Sequence, residues 1–407
     1  MNSKNKIIIL LGALFIVGVI VVLIVVFTSG PKTGGGVQPV PAPGGTLTMW
    51  GVFDDEKVLL PAFSAAGART GIAIQYIKKE PATYESELVN AMAAGRGPDI
   101  FMFHNTWLSK HYDKVVPMPP SFFDLQTFQR LFPVVVQQDF GPDGTVFALP
   151  LSIDTLALFY NKDIFEQIVA PRPPATWSEF LEDVVKTRKI DINGKIERAG
   201  AAIGGSAKSI NRASDILNLL MLQAGTVMVN ENGASFSQQV SEGASPGAES
   251  LDFYASFANP SNKYYTWNEG FLNSLDAFSQ GKAAMTIDYA FQVPYIQERN
   301  PFLSFGVSKV PQPVNPEKDA NYANYWGFAV SKTSQNPVGA WNFIVNLTTT
   351  ADIAKLYAEE AVKPPALRDL IPVFENHPKL GVFTKQILTA RSWPQPDGEK
   401  VKTIFSE

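Results

Sequence analysis

Seven aromatic residues, three acids and an amide stand where a binding chemistry would need them. Trp50, Phe53, Trp107, Tyr289, Phe291, Trp326 and Trp393 lie beside the ends of predicted strands or at predicted chain crossings, with Asp54, Asn105, Asp154 and Asp288 among them. A flat apolar ring covers the CH face of a sugar, and a carboxylate accepts hydrogen bonds from two adjacent hydroxyls. Together such groups suit a cleft that excludes water around a polyhydroxylated solute. Each has a plainer use as well. Large rings are buried on average and pack cores, Asp54 and its neighbour Asp55 suit the first turn of a helix, and Asp154 suits a turn.

Other chemistries lose support. The chain of 407 residues has no cysteine, which removes disulfide frameworks, thiolate metal sites, cysteine nucleophiles and thioether lipid anchors. His104, His111 and His377 are too dispersed for a metalloprotease helix or a facial triad, and GxSxG, P-loop and GxGxxG motifs are absent. The sequence therefore calls for no cofactor, no metal and no catalytic residue. A glycoside hydrolase needs only two carboxyl groups at a set distance, so it stays open as an alternative. A net charge of -4 without a basic stripe gives no footprint for nucleic acid. With 45% hydrophobic residues, the length suffices for two domains with ordinary cores.

The elements that must position these groups alternate. A strand at Thr46 to Trp50, a helix from about Asp54 to Ala68 and a strand at Ile72 to Ile77 come first. A helix at Tyr84 to Ala94 and an apolar strand at Ile100 to Phe103 follow. Crossover helices between such strands imply a parallel sheet with its crevice at the carboxyl ends, which makes the loops after Trp50 and Phe103 site candidates. In GPD, Gly97 and Pro98 turn the chain and Asp99 reads as architectural. Farther on, Thr176 and Glu179 fit a capping box. Phe271 to Gln280 reads as a helix stopped by Gly281, and Ala283 to Ile287 as a strand leading into Asp288 and Tyr289. Asn336 before Pro337 starts a helix over Val338 to Leu347. The second half is again mixed α/β.

The charge-free run from Ile7 to Phe27 can span a hydrocarbon core of ~30 Å at ~1.5 Å per residue. It reads as a single-pass anchor at the cell membrane. Lys4 and Lys6 before it place the N-terminus inside and the body outside. Residues 28–45, rich in Gly and Pro, read as a tether.

Six strings in order resemble one family. They are TLTMWG at 46–51, GRGPDIFMF at 95–103, ALPLSIDTLALFYNKDIFE at 148–166, PPATWSEFL at 173–181, FSQGKAAMTID at 278–288 and YWGFAVSKTSQNPVGAWNFI at 325–344. Each is weak alone, but independent matches rarely align across a whole chain. They look like the extracellular solute-binding proteins of ABC importers, of the maltose and oligosaccharide type.

The resemblance implies a two-lobed, periplasmic-binding-protein-like α/β fold with a hinge cleft. Lobe 1 would comprise 46–152 and 327–375, and lobe 2 would comprise 153–326 and 376–407. Leu149 to Asp163 would be the first crossing, with Asp154 its leading ligand contact and Asp163 a helix cap. Trp326 would stand on the return crossing and Trp393 on a late loop closing over ligand. The implied function is capture of a carbohydrate by hinge closure, without catalysis, by a monomer that delivers it to importer permease subunits. A glycoside-active enzyme or a tethered sugar sensor without an importer are the alternatives. Family members often carry a lipid on a cysteine; here the anchor at 7–27 would replace it. The last residues, from Lys400, read as the start of a terminal helix in a chain that is short or cut there.

Overall fold

The structure, a computed structural model, describes residues 44–168, 172–239, 243–316 and 319–406. The expected anchor at 7–27 and nearly all of the expected tether lie outside these residues. Among the described residues, no helix is long and apolar enough to cross a membrane. Gly45, expected as the last tether residue, already pairs with Ile72 at the start of the first strand.

The chain opens with β1 (Gly45–Gly51), α1 (Glu56–Thr70), β2 (Ile72–Lys78), α2 (Tyr84–Ala93) and β3 (Ile100–His104). β1 lies between β2 and β3 and runs parallel to both, as crossover helices require. The chain therefore leaves β1 toward one side and returns on the other. The resulting crevice lies at the carboxyl ends of β1 and β3. Asp99 has the architectural role expected of it: Oδ2 accepts from Thr48 N at 2.9 Å and from Thr48 Oγ1 at 3.0 Å, and Oδ1 accepts from Ser334 Oγ at 2.6 Å.

The short strands β4 (Val115–Val116) and β5 (Leu149–Pro150) complete the first part of the chain. The chain then crosses into a second set of sheets through β6 (Asp154–Thr155) and β7 (Ala157–Asn161). Asn161, not Asp163, caps the helix that follows, with Oδ1 accepting from Ile164 N at 3.1 Å. A side chain one position before the first helical residue reaches the orphan amides, whereas one inside the first turn is already past them. α3 (Trp177–Thr187) has the expected capping box.

Next come α4 (Ala213–Gln223) and α5 (Ser274–Ser279), capped by Asn273 and therefore shorter than expected, with Gly281 at φ 69° just beyond. β8 (Met285–Asp288) and β9 (Phe305–Lys309) flank β7 antiparallel. β10 (Asn321–Asn324) runs beside β6, and β11 (Trp326–Ser331) returns to the first sheet antiparallel to β3. α6 (Pro337–Thr349), started by Asn336 as expected, and α7 (Ala351–Ala361) pack on α1. β12 (Ala390–Arg391) joins β10, and α8 (Gly398–Ser406) ends the described chain.

Three extended segments join the two sets of sheets side by side. Asn324 pairs with Asp154 in one sheet and Gly327 with Pro150 in the other, so β10–β11 and β5–β6 cross as one antiparallel ribbon. A third segment adds to it, with Ile153 N donating to Pro364 O at 3.1 Å and Ala366 N to Leu151 O at 3.0 Å. Such pairing satisfies backbone polar groups on all three crossings while leaving the ribbon thin enough to bend.

Candidate functional site

A cleft of about 840 Å3 opens over this ribbon, lined from both sides. On the first side, the loop after β1 supplies Phe53 and Asp54, and the loop after β3 supplies His104, Thr106 and Trp107. α1 starts only at Glu56, which frees Asp54 from the helix turn it was expected to occupy. Its Oδ1 holds Lys363 Nζ at 2.6 Å and its Oδ2 accepts from Tyr357 Oη at 2.7 Å.

Trp326 faces His104 in the β11–β3 register. Its ring lies 4.8 Å from His104, 5.1 Å from Trp107 and 5.7 Å from Phe53, which stays 48% exposed at the cleft mouth. His104 is driven down to about 4 by burial and is therefore neutral at physiological pH. Its Nε2 donates to Asn324 Oδ1 at 3.1 Å, leaving Nδ1 to accept from Thr106 Oγ1 at 2.8 Å.

On the second side, Tyr289 and Phe291 follow β8 and stack at 5.9 Å with 15° between their planes. The Arg212 guanidinium sits 5.1 Å from each ring and is fixed by Asp288, which takes its Nε at 2.7 Å. Tyr289 Oη donates to Asp215 Oδ2 at 3.0 Å, and burial raises the Asp215 carboxyl.

Asp154 stands on the ribbon between the two sides. Its Oδ1 accepts from Thr155 N at 2.9 Å and Ala290 N at 3.1 Å. Burial nevertheless pushes its pKa up to about 7, against the pull of those amides. Unlike Asp54 and Asp288, it forms no ion pair with a described residue. Among the described residues no cluster of histidines and acids is placed to hold a metal.

The profile of the family described as bacterial extracellular solute-binding protein matches residues 62–380. The chain belongs to that family. It is 25% identical over 329 residues to a binding protein of Brucella abortus, covering 79% of this chain and 75% of that one. To the maltotriose-binding protein of Pyrococcus abyssi it is 20% identical over 327 residues, covering 79% and 67%. The crystal structure of the cyclic α-maltosyl-1,6-maltose binding protein from Arthrobacter globiformis superimposes with a TM-score of 0.70 at 18% identity. That match covers 89% of this chain and 91% of that one. It shows that this solute-binding protein has the two-lobed α/β fold.

Of the residues expected in the site of this solute-binding protein, Phe53, Asp54, Trp107, Asp154, Tyr289, Phe291 and Trp326 line this cleft together. Four others stand behind or away from the wall. Trp50 alternates to the opposite face of β1, where Lys79 Nζ lies 3.9 Å over its ring. Asn105 is buried, donating to Asp139 Oδ2 at 3.2 Å beneath Tyr325. Asp288 is 2% exposed under Arg212. Trp393 is buried and donates to Asn218 Oδ1 at 2.7 Å, orienting an amide that does face the cleft. Tyr357, Lys363, Arg212 and Asp215 escaped sequence reasoning because no local motif surrounds them.

Proposed function

We propose that this solute-binding protein captures a saccharide in the cleft and delivers it to the permease subunits of an ABC importer. The observation that carries the reading is the pairing of rings along the cleft, the exposed Phe53 with the half-buried Trp326 and the exposed Phe291 with the buried Tyr289, around the Asp154 carboxylate, which has no ion pair among the described residues. Rings cover CH faces and the carboxylate takes hydroxyls. The seven cleft-lining residues are the proposed contacts, with Asn105, Asp288 and Trp393 bracing them. The names of the relatives from Pyrococcus abyssi and Arthrobacter globiformis, both saccharide binders, point the same way.

Ligand contacts to both lobes would close the hinge, with lobe 1 as 46–152 and 327–375 and lobe 2 as 153–326 and 376–407. Moving the population from 1:99 to 99:1 closed takes about 5.5 kcal/mol of preference for the closed form, within reach of a few charged hydrogen bonds and stacked rings. The closed monomer would then present one surface from each lobe to the permease. Residues 7–27 would hold it at the membrane through the tether at 28–45, with the body outside.

The test is a thermal-shift screen of the soluble body against saccharides, polyols and peptides, followed by small-angle scattering with each hit. A saccharide should raise the melting temperature and compact the particle. No shift with any saccharide overturns the reading, and release of reducing ends would replace it with glycoside hydrolysis.

A further inference from the structure

α8 closes a side of the cleft that neither lobe closes alone. Asp397 caps it, its Oδ1 accepting from Lys400 N at 3.3 Å while Oδ2 holds Lys110 Nζ at 3.0 Å. Lys110 is itself paired with Glu85 at 2.8 Å on the first lobe. Gly398 approaches Thr106 of the same lobe so closely that any Cβ would run into the threonine hydroxyl. The far end belongs to the second lobe. Ser406 O accepts from Ala207 N at 3.0 Å, Phe405 meets Phe236 edge-on at 5.2 Å, and the helix lies along α4. The 9 residues of this helix reach about 13 Å at ~1.5 Å each, enough to bridge the opening.

The face turned to the cavity carries Gly398, Glu399, Lys402 and Ser406, the four-residue spacing of one helical stripe. Neither Glu399 nor Lys402 is ion-paired with a described residue, in contrast to Asp54 with Lys363 and Arg212 with Asp288. Beyond burial, which dominates at both groups, the Lys402 ammonium lowers the pKa of His104 in one lobe and of Asp215 in the other. A charge felt by both stands in the space between them.

We propose that α8 is a further wall of the binding site, that Lys402 and Glu399 hydrogen-bond the bound saccharide, and that ligand enters when the helix releases the first lobe. The inference rests on the saccharide reading. An ammonium donor and a carboxylate acceptor one helical turn apart match neighbouring hydroxyls on one ligand edge. Because the helix is held at both ends, it also couples occupancy to the separation of the lobes.

Maltotriose, galactooligosaccharides and mannitol serve as probes, with affinity read by calorimetry and association rate by biolayer interferometry. E399Q/K402M should weaken binding about tenfold or more with the melting temperature of the free protein unchanged, since both side chains are solvent-facing. K110M frees the first-lobe end and should speed association several-fold. T106C/G398C, whose Cβ atoms would stand 3.2 Å apart, pins the first-lobe end, is clean to oxidise in a chain without cysteine, and should slow association when oxidised and recover on reduction. If the parent binds a saccharide while all three variants match it in affinity and rate, α8 is not part of the site and the saccharide reading stands. If the parent binds no saccharide, the saccharide reading falls and the contacts of α8 fall with it.

Discussion

Asp54 and Lys363 are 309 positions apart in sequence, yet Oδ1 and Nζ meet at 2.6 Å on the cleft wall. The pair ties the loop after β1 to the segment that forms the third strand of the hinge, and Tyr357 holds the other carboxylate oxygen. Side-chain exposures of 21% for the lysine and 12% for the aspartate leave the contact shielded on most sides.

K363A leaves that carboxylate without its cation, which should cost about 1–3 kcal/mol of stability. K363M/D54N should cost less than the sum of the two single changes, with an interaction energy above ~0.5 kcal/mol in urea denaturation. Additive costs would mean that solvent already screens the contact.

Phe53 and Phe291 are each 48% exposed, one on either side of the opening. F53A and F291A should therefore leave stability within about 0.5 kcal/mol and weaken saccharide affinity by ~0.5–1.5 kcal/mol each, read by calorimetry. W326A should lower both stability and affinity, because its ring also packs on Trp107 and His104. Undiminished affinity in both phenylalanine variants would remove the rings from the site.

Asp154 titrates near 4 in an unfolded chain and at about 7 in the folded one. The folded state holds this proton more tightly, so its stabilising contribution is complete below about pH 4 and lost as pH rises through about 7. Asp139, raised to about 6, acts in the same sense, whereas His104, lowered to about 4, makes stability rise with pH. The comparison of parent with D154N isolates the first effect: the relative stability of D154N should grow from pH 4 to 8. Saccharide affinity of the parent should rise across pH 7, where the carboxylate becomes the stronger acceptor, and that of D154N should stay flat. Parallel curves for the two proteins would refute both statements.

Asp99 gathers three donors from β1 and the start of the α6 turn. D99A should destabilise by about 1–3 kcal/mol through the partners it abandons and leave the affinity of the remaining folded protein unchanged. A selective loss of affinity would move this residue into the site.

What the sequence made legible was local. Capping at Thr176 and Asn336 and the stop at Gly281 follow from residues within a few positions of one another, and the parallel run of β1 to β3 from a chain of such local elements. The cleft loops followed from the strand order. Trp50 and Phe53 could not be separated the same way: three positions apart, one stands on β1 and the other in the loop beyond it, and only the loop ring reaches the cleft. Trp393 and Asn105 carry cleft-type chemistry but spend it on Asn218 and Asp139. Lys363 and Arg212 gain their meaning from partners 309 and 76 positions away, a distance over which no spacing rule operates.

The crowding of Trp326, Trp107, Phe53 and His104 within a few ångströms gives the protein an optical reporter of its own. Trp267 and Trp341 are fully enclosed, and Trp177 and Trp393 nearly so, so their emission is a steady background. Trp326 alone among the indoles is both partly wetted and on the hinge ribbon, and a solute that dries it would shift the spectrum to the blue without any added label.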